Sequence, residues 1–377
     1  MDVSFLAPVF TAPGPYATVC ADVTHTTENA DTELELRVRA VAEQLQEQGA
    51  PEPVVQAVRD RLLEGNDGGE AGTLQGRAVV VATDGSVVLD EVLADVPRDP
   101  VVEWSPQPAL LPVLRQIAGR VPHVVVVADR VGADIYVASR AGRPEQQEQV
   151  EGNRSAVRRL GTGALSQSQH EQAAGRQWEE NADEVAEEIA SLARRLHPRF
   201  ILLAGDVRAR QVLTDRADKA WADLVVTLEE GGRAAGADRE PVERRAAELV
   251  AEYEAHDEAD VVEKISSAAA HGLAVTGTAS VVEALRKSQV ETLVLADRPD
   301  DEELVVGPDP LLLGTGQGDM QALGVQDAQS VPADRALVAA AVASDAGVVV
   351  VPRSAMPGDI PVAAILRYTD DSTPKAQ

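Results

Sequence analysis

The sequence predicts an α/β protein built from three domains, and three observations point to that fold class. Segments with helical periodicity alternate with short apolar segments of strand character, which is the pattern of sheets packed against helices. The chain has 377 residues, more than one domain usually contains, so two or three domains are expected. Its residues are 44% hydrophobic and 25% charged, as in globular proteins with apolar cores, which excludes a wholly disordered chain.

The first predicted domain covers residues 1–120 and begins with a strand at 16–23, which two amphipathic helices follow. The apolar positions of these helices are Leu34, Leu36, Val38, Val41 and Leu45 in the first and Val54, Val55, Val58 and Leu62 in the second. Two β runs at 77–82 and 87–89 enclose an Asp-Gly turn, which predicts a hairpin. The proline-rich stretch 97–108 indicates a connector.

The second predicted domain covers residues 121–265 and opens with a strand at 124–128 that returns at 134–138. A polar stretch separates this pair from a long helix, because apolar residues then recur at spacings of three and four. These residues are Trp178, Ala182, Val185, Ile189, Leu192 and Leu196.

A further strand of this domain, at 200–204, ends at Gly205, and Asp206 is placed to cap the next helix. A phosphate at that helix terminus would be repelled by Asp206, so the sequence favours a simple cap. The segment 224–228 indicates another strand, and 241–271 indicates one or two helices that bridge two domains.

The third predicted domain covers residues 266–377 and again alternates helices with strands. Its predicted elements are a helix at 281–288, a strand at 290–296, an irregular stretch at 305–324, a helix at 333–344 and a strand at 347–351.

The charge balance is strongly acidic, with 34 basic and 62 acidic residues and a net charge of −28. A field of that sign repels polyanions at long range and argues against a general nucleic-acid binder. Arginine far outnumbers lysine, which fits a GC-rich genome or, alternatively, a salt-adapted proteome. No apolar run approaches the length of a membrane span and the first residues carry no basic leader, so we expect a cytoplasmic protein that binds no membrane.

Cysteine and histidine usage predicts no metal and no cofactor. Cys20 is the one cysteine, which excludes a disulfide within the chain and a multi-cysteine zinc or iron–sulfur site. The six histidines show no metal-ligand spacing. The glycine-rich run 314–318 matches neither the dinucleotide fingerprint nor the P-loop, so it indicates an ordinary mobile loop. Asp129 and Asp134 are assigned to turn chemistry, because a two-metal nuclease needs further carboxylates.

The segment that precedes the long helix is the most informative for function. Residues 151–178 carry a local charge of +2 within the acidic chain. Arginines beside a glycine turn suit contact with a phosphodiester backbone. The residues concerned are Arg154, Arg158 and Arg159 before the turn and Gly161 and Gly163 within it. A solvated loop before a capped helix is the alternative interpretation, and a Ser–His dyad within 166–170 lacks the G-x-S-x-G elbow.

The order of these segments resembles the central domain of the archaeo-eukaryotic class-1 release factors and the Pelota rescue factors. In that family a strand hairpin leads to a glycine-containing loop, a long helix and a strand that ends in a Leu-Ala-Gly turn. The corresponding parts here are 124–138, 161–169, 170–196 and Leu202-Leu203-Ala204-Gly205. The resemblance implies a central RNase H-like mixed-sheet domain.

Residues 272–368 look like the third domain of the same family. The segments similar to its opening are 272–277, 281–285 and 290–297. The resemblance implies a C-terminal α/β/α sandwich with the kink-turn-binding ribosomal-protein fold, and the chain is identified as a member of the bacterial branch of the family.

Hydrolytic members of the family carry Gly-Gly-Gln on the central loop, where the glutamine helps to position a water at the peptidyl-tRNA ester. The variant loop here, residues 160–169, lacks that motif. Gln167 precedes a serine as the family's glutamine often does, but Ser166 stands where the second glycine belongs and restricts the backbone. We therefore expect weak hydrolysis, with Gln167 and Gln169 as candidate catalytic residues and an exposed, poorly ordered loop in the free protein.

The resemblance implies candidate RNA-binding residues, which are Arg154, Arg158, Arg159, Gly161, Gly163 and Gln167. It implies a factor that binds the ribosomal A site, at the ribosomal RNA of the peptidyl-transferase centre, in ribosome rescue or hibernation. A tRNA and a translational GTPase of the elongation-factor type are further implied partners. Residues 1–120 contain no Asn-Ile-Lys-Ser, so codon-dependent termination is not expected.

Two alternatives stay open. The first is a peptidyl-tRNA hydrolase, or peptide chain release factor, that uses the variant loop. The second is a stress-related interaction protein that never contacts the ribosome, which the net charge of −28 favours. Screening confines fields to about 8–10 Å at physiological salt, so local arginines can still outweigh the net charge at short range.

Overall fold

The computed structural model of the protein describes residues 3–24, 30–64, 76–93, 96–97, 100–118, 120–129, 131–138, 146–151, 167–233, 238–298, 300–371 and 373. The chain divides into two compact units. We call Met1–Ala118 together with Asp257–Gln377 the discontinuous unit, and Gly119–His256 the central unit. Within the described ranges, every helix is too short or too polar to span a bilayer.

The N-terminal part of the discontinuous unit is an antiparallel sheet with helices packed against it. Its elements are α1 (Ala7–Thr11), β1 (Tyr16–Asp22), α2 (Ala30–Glu47), α3 (Glu52–Leu63), β2 (Gly76–Ala82), β3 (Val87–Leu93), β4 (Val101–Ser105) and α4 (Leu111–Ala118). The strand order is β3-β2-β1-β4. The apolar positions predicted for α2 and α3 are buried against one face of this sheet, except Leu36, which is 48% exposed.

Strand β4 lies within the stretch that the sequence indicates as a connector. The sequence does not predict this strand, because five residues between prolines are too few to show a period. A side chain covers its outer edge. The amide of Gln48 donates from Nε2 to the carbonyl of Val102 at 3.0 Å and accepts from the N–H of Trp104 at 2.7 Å. These are groups with which another strand would pair, so Gln48 occupies this edge.

The central unit is built on a mixed sheet, as predicted. Its elements are β5 (His123–Ala128), β6 (Gly132–Ala138), β7 (Gln146–Glu151), α5 (Gln167–Leu196), β8 (Phe200–Gly205), α6 (Val207–Asp215), β9 (Val225–Thr227) and α7 (Glu240–Ala270). The strand order is β7-β6-β5-β8-β9, in which β8 runs parallel to β5 and β9 and the other pairs are antiparallel. The boundary between the two units falls inside α7, which is one helix.

Both faces of this sheet are covered. Successive side chains of β5 point to opposite sides, so they pack into two separate cores. Val124 and Val126 pack with α5 and α6 in one core. Val125 and Val127 pack with Val242 and other residues of α7 in a second core. Strand β7 was not expected from the sequence, since Gln146–Glu151 is polar and lacks an apolar alternation.

The C-terminal part of the discontinuous unit is a sheet between helices, as predicted. Its elements are β10 (Ala274–Thr276), α8 (Thr278–Arg286), β11 (Val290–Ala296), β12 (Glu303–Val306), β13 (Leu313–Gly314), α9 (Gln317–Ala322), β14 (Gln329–Pro332), α10 (Ala333–Ala343), β15 (Gly347–Val351) and β16 (Val362–Leu366). The main sheet has the order β10-β16-β11-β15, and a smaller one has the order β13-β12-β14. Helices α8 and α10 cover one face of the main sheet, and Ile265 of α7 packs on the other.

The N-terminal and C-terminal parts of the discontinuous unit share one apolar core. Tyr16 and Cys20 of β1 belong to the same buried cluster as Leu337 of α10. Arg335 of α10 adds an ion pair to Glu103 of β4 at 2.6 Å. The division of the chain into domains 1–120, 121–265 and 266–377 stays a prediction.

Candidate functional site

The candidate site lies at the carboxyl edge of β5 and β8 in the central unit, where α5 meets the sheet. Helix α5 forms here because Ala182, Val185, Ile189 and Leu192 fall on one face, and all four are fully buried against the sheet, as predicted. Arg216 pairs with Asp183 and so joins α6 to α5. This half of α5 is therefore fixed on the sheet.

The other half of α5 extends past the sheet. Strand β5 has six residues and spans about 20 Å, and residues 181–196 of the helix already span about 23 Å. Asn181 lies at the β5–β6 turn, and Phe200, which follows the helix, pairs with His123 at the opposite edge of the sheet. Residues 167–180, which we call the α5 arm, therefore continue about 21 Å beyond the carboxyl edge.

The structure places only part of the predicted site. Gln167 and Gln169 lie in the first turn of α5, so the helix begins within the segment 160–169 that the sequence indicates as a loop. The run Gln167–Ala174 has several good helix formers and neither glycine nor proline, which explains the early start. The other predicted site residues, Arg154, Arg158, Arg159, Gly161 and Gly163, lie outside the described residues, as does the predicted disorder of the loop before Gln167.

The β5–β6 turn is held by its own aspartate. The carboxylate of Asp129 accepts hydrogen bonds from the backbone N–H groups of Val131 at 2.7 Å and Gly132 at 2.9 Å. The side-chain amide of Asn181, which is 5% exposed, donates to the carbonyl of Val131 at 3.1 Å. The turn is thereby tied to the residue of α5 from which the arm departs.

A buried ion pair adjoins this turn. Arg233 donates to Asp134 at 2.8 Å and to Asp129 at 3.4 Å, and the side chains of Arg233 and Asp134 are only 10% and 7% exposed. Burial lowers the pKa of the Arg233 guanidinium, but the hydrogen bonds and charges of Asp134 and Asp129 outweigh it, so the pKa is raised. Arg239 lies over the ring of Tyr136, at 5.3 Å from its centroid.

The sequence interpretation of these residues needs a correction. Asp129 does serve the turn, but Asp134 is buried within β6 and pairs with Arg233, far away in the chain. Arg233, Arg239 and Asn181 were missed. A charged residue in the middle of an apolar strand and an asparagine on the apolar face of a helix were the available signals.

The carboxyl end of β8 shows how tightly this edge is built. Gly205 has a φ of +105°, and Asp206 donates its backbone N–H to the carbonyl of Ala128 at 2.9 Å. The Asp206 carboxylate accepts from the N–H groups of Arg208 at 2.9 Å and Ala209 at 3.1 Å, which confirms the predicted cap of α6. These donors are satisfied by the protein itself.

The weaker candidates have structural roles. In the glycine run 314–318, the carboxylate of Asp319 accepts from the N–H and hydroxyl of Thr315, and the backbone hydrogen bond foremost lowers the pKa of Asp319. His123 is buried and stacks on Phe200 with ring centroids 4.7 Å apart. Across the described residues, no three His, Cys, Asp or Glu side chains are grouped so that they could hold a metal ion.

Comparison with known proteins identifies the class of this domain. The mixed sheet with its hairpin, the long helix α5 and the glycine turn that ends β8 follow the order of segments that the sequence resemblance implies. Residues 122–271 match the model of bacterial archaeo-eukaryotic release factor family 2. The resemblance inferred from the sequence is confirmed, and the match supports a ribosome-associated translation factor as the class of the protein.

Sequence similarity to two relatives covers nearly the whole chain. Two uncharacterized proteins of Mycobacterium tuberculosis, from strains CDC 1551 / Oshkosh and H37Rv, are each 26% identical over 371 residues, which cover 95% of this chain and 94% of the relative.

Solved structures of related shape include a Pelota and a termination-like factor. Archaeoglobus fulgidus Pelota is 16% identical, with a TM-score of 0.35 over 79% of this chain and 80% of that one. Saccharomyces cerevisiae Dom34, a translation termination-like factor that interacts with Hbs1, is 13% identical, with a TM-score of 0.39 over 80% of this chain and 81% of that one. At these TM-scores the likeness establishes no function for this chain.

Proposed function

We propose that the protein is a cytoplasmic translation factor that binds the ribosomal A site in ribosome rescue or hibernation, without strong peptidyl-tRNA hydrolysis. The observation that carries this proposal is the release-factor family match over residues 122–271, in a chain that lacks Gly-Gly-Gln. The α5 arm supports it, since its backbone carries Gln167 beyond the carboxyl edge of the central sheet.

Weak hydrolysis follows from the backbone around Gln167. Two glycines before a glutamine permit tight-loop conformations that other residues adopt only at a cost. Here Ser166 replaces one glycine, and Gln167 itself has helical backbone.

Binding to ribosomal RNA is proposed to rest on Arg154, Arg158 and Arg159, which precede the α5 arm in the chain. Arginine suits this role because its planar guanidinium grips a phosphate with two hydrogen bonds and stays charged. Each phosphate contact contributes about 0.7–0.9 to the slope of log affinity against log salt concentration. Three such contacts would make ribosome binding steeply salt-dependent.

Sedimentation with ribosomes from growing and starved cells tests the proposal. We expect the protein in the ribosome pellet, and a larger fraction from starved cells would favour hibernation over rescue. Recovery only in the supernatant at every salt concentration would contradict the proposal and favour the stress-related interaction protein. Adding a translational GTPase of the elongation-factor type with a non-hydrolysable GTP analogue tests the proposed partner, since joint binding should increase the pelleted fraction.

A charge-reversal pair tests the RNA contacts. Arg158→Glu with Arg159→Glu should weaken ribosome binding and flatten the salt slope by about 1.5. The matched control is Arg194→Glu with Arg195→Glu, two adjacent exposed arginines at the opposite end of α5. Equal loss in both double variants would show a general charge effect and refute specific contacts by Arg158 and Arg159.

A release assay separates the proposal from its main alternative, a peptidyl-tRNA hydrolase. Labelled peptide on ribosome-bound peptidyl-tRNA should be released slowly by the wild type, and Gln167→Ala and Gln169→Ala should change that rate little. Fast release that Gln167→Ala abolishes would make the hydrolase correct.

A further inference from the structure

The direction of the α5 arm has to be set where the helix leaves the sheet. Asn181 occupies that position and is buried, although the neighbouring inward positions of α5 carry apolar side chains. Asparagine is a poor helix former, and a buried amide costs free energy unless it is hydrogen-bonded. Its hydrogen bond to the carbonyl of Val131, at 3.1 Å, offsets that cost and fixes the buried amide at the turn.

The acceptor of that bond is itself held in place. Asp129 binds both N–H groups of the β5–β6 turn, and Arg233 holds Asp129 at 3.4 Å while it donates to the buried Asp134 at 2.8 Å. A continuous set of hydrogen bonds thus runs from Arg233 through Asp129 and Val131 to Asn181. All four residues belong to the central unit.

We propose that Asn181 is a positioning residue, which together with Asp129 and Arg233 locks the direction of the α5 arm relative to the central sheet. The arm acts as a lever, because a tilt of about 10° at Asn181 displaces its start by about 4 Å over the 21 Å length. The hydrogen bond from Asn181 to Val131 lies at the edge of the sheet, and residues 167–180 continue past the carboxyl ends of β5 and β8. The lock itself is independent of the ribosome; its use in RNA binding rests on the proposed function.

Spin-label distance measurements test the lock. Spin labels at Ala173→Cys in the arm and at Gln211→Cys on α6 report the distance between the arm and α6, which packs on the sheet. The native Cys20 does not take up label, because it is fully buried and burial, with a smaller effect of Glu103, raises its pKa to about 12. We expect one narrow distance distribution in the full-length wild-type chain, and loss of that narrow peak in Asn181→Ala and in Asn181→Asp, which keeps the size but not the donor.

Two further variants make the test specific. Asp129→Ala lies outside α5 and should also remove the narrow peak, and the double variant with Asn181→Ala should add little, because both act through one turn. Glu184→Ala, an exposed residue one turn further along α5, is the matched control and should keep the peak. The fluorescence of buried Trp221, with Trp104→Phe and Trp178→Phe in every protein, reports that each variant is folded.

The outcomes separate the lock from the proposed function. A narrow peak in folded Asn181→Ala, or a wild type as broad as the variants, would overturn the lock. If the spin-label results support the lock, Asn181→Ala should weaken ribosome binding about threefold to tenfold. A wild type that shows the narrow peak but never pellets with ribosomes would refute the proposed function and leave the lock standing.

Discussion

Replacing Gly205 by alanine should be among the most destabilising single changes in the central unit. Gly205 has a φ of +105°, which alanine rarely adopts. A Cβ atom there would lie 2.0 Å from the carbonyl oxygen of Ala128 and 2.8 Å from its nitrogen. Both are backbone atoms of the neighbouring strand β5, so no side-chain rotation can relieve the overlap.

The magnitude follows from three effects that act together. The left-handed conformation costs alanine about 1–2 kcal/mol. Strands β5 and β8 must move apart, which resembles overpacking at about 1–3 kcal/mol. The hydrogen bond from Asp206 to Ala128 weakens as they separate, at about 1 kcal/mol. We therefore expect the free energy of unfolding to fall by about 4 kcal/mol.

Gly231→Ala is the matched control in the same unit. Gly231 also has a positive φ, +98°, but its Cβ would meet the Cγ2 atom of buried Val242 at 2.6 Å, which is a side-chain atom and not part of a neighbouring strand's backbone. It should cost about 1–2 kcal/mol. Urea unfolding followed by the fluorescence of Trp221, with Trp104→Phe and Trp178→Phe in every protein, measures both. Equal costs for Gly205→Ala and Gly231→Ala would refute the argument from backbone overlap.

Three further predictions concern buried ionisable groups. Asp134→Asn leaves Arg233 buried without its main charged partner, so the free energy of unfolding in urea should fall by about 3 kcal/mol. Arg239, which also pairs with Asp134, is exposed, so Arg239→Gln should lower it by less than about 1 kcal/mol. Equal losses in the two variants would contradict this prediction. Cys20 should resist alkylation by iodoacetamide at about pH 8 until the chain unfolds, as mass spectrometry can record. Burial raises the pKa of Asp334, so the folded state holds that proton more strongly than the unfolded state does. The free energy of unfolding should therefore fall as the pH rises from the ordinary aspartate pKa through the raised one. If Asp334→Asn shows the same dependence of unfolding free energy on pH as the wild type, the prediction is wrong.

The fold was predictable where local signals suffice. The apolar spacing of α5 and the cap at Asp206 each depend on a few neighbouring residues, and both are confirmed. Strands β4 and β7 were missed for the opposite reason. One is too short and the other too polar to show a period, and each forms only because a neighbouring strand offers hydrogen bonds.

The candidate site was less accessible to sequence reasoning, because its polar contacts join distant residues. Nothing near Asp134 indicates that its partner is Arg233, and nothing near Asn181 indicates the carbonyl of Val131. The family resemblance supplied the order of segments and the variant loop. The roles of Gln167, Arg158 and Arg159 stay predictions that the release and binding assays test.

The discontinuous unit has a consequence for synthesis on the ribosome. The face of the first sheet that carries Tyr16, Cys20 and Val80 shares its core with α8, α10 and β11, which follow the whole central unit in the chain. At about 5–20 residues per second, ribosomes need roughly 7–28 s to translate residues 119–256 in between. During that interval the first sheet has one apolar face still incomplete. The nascent chain therefore has a defined window in which chaperone binding or premature association competes with folding, and slower translation lengthens it.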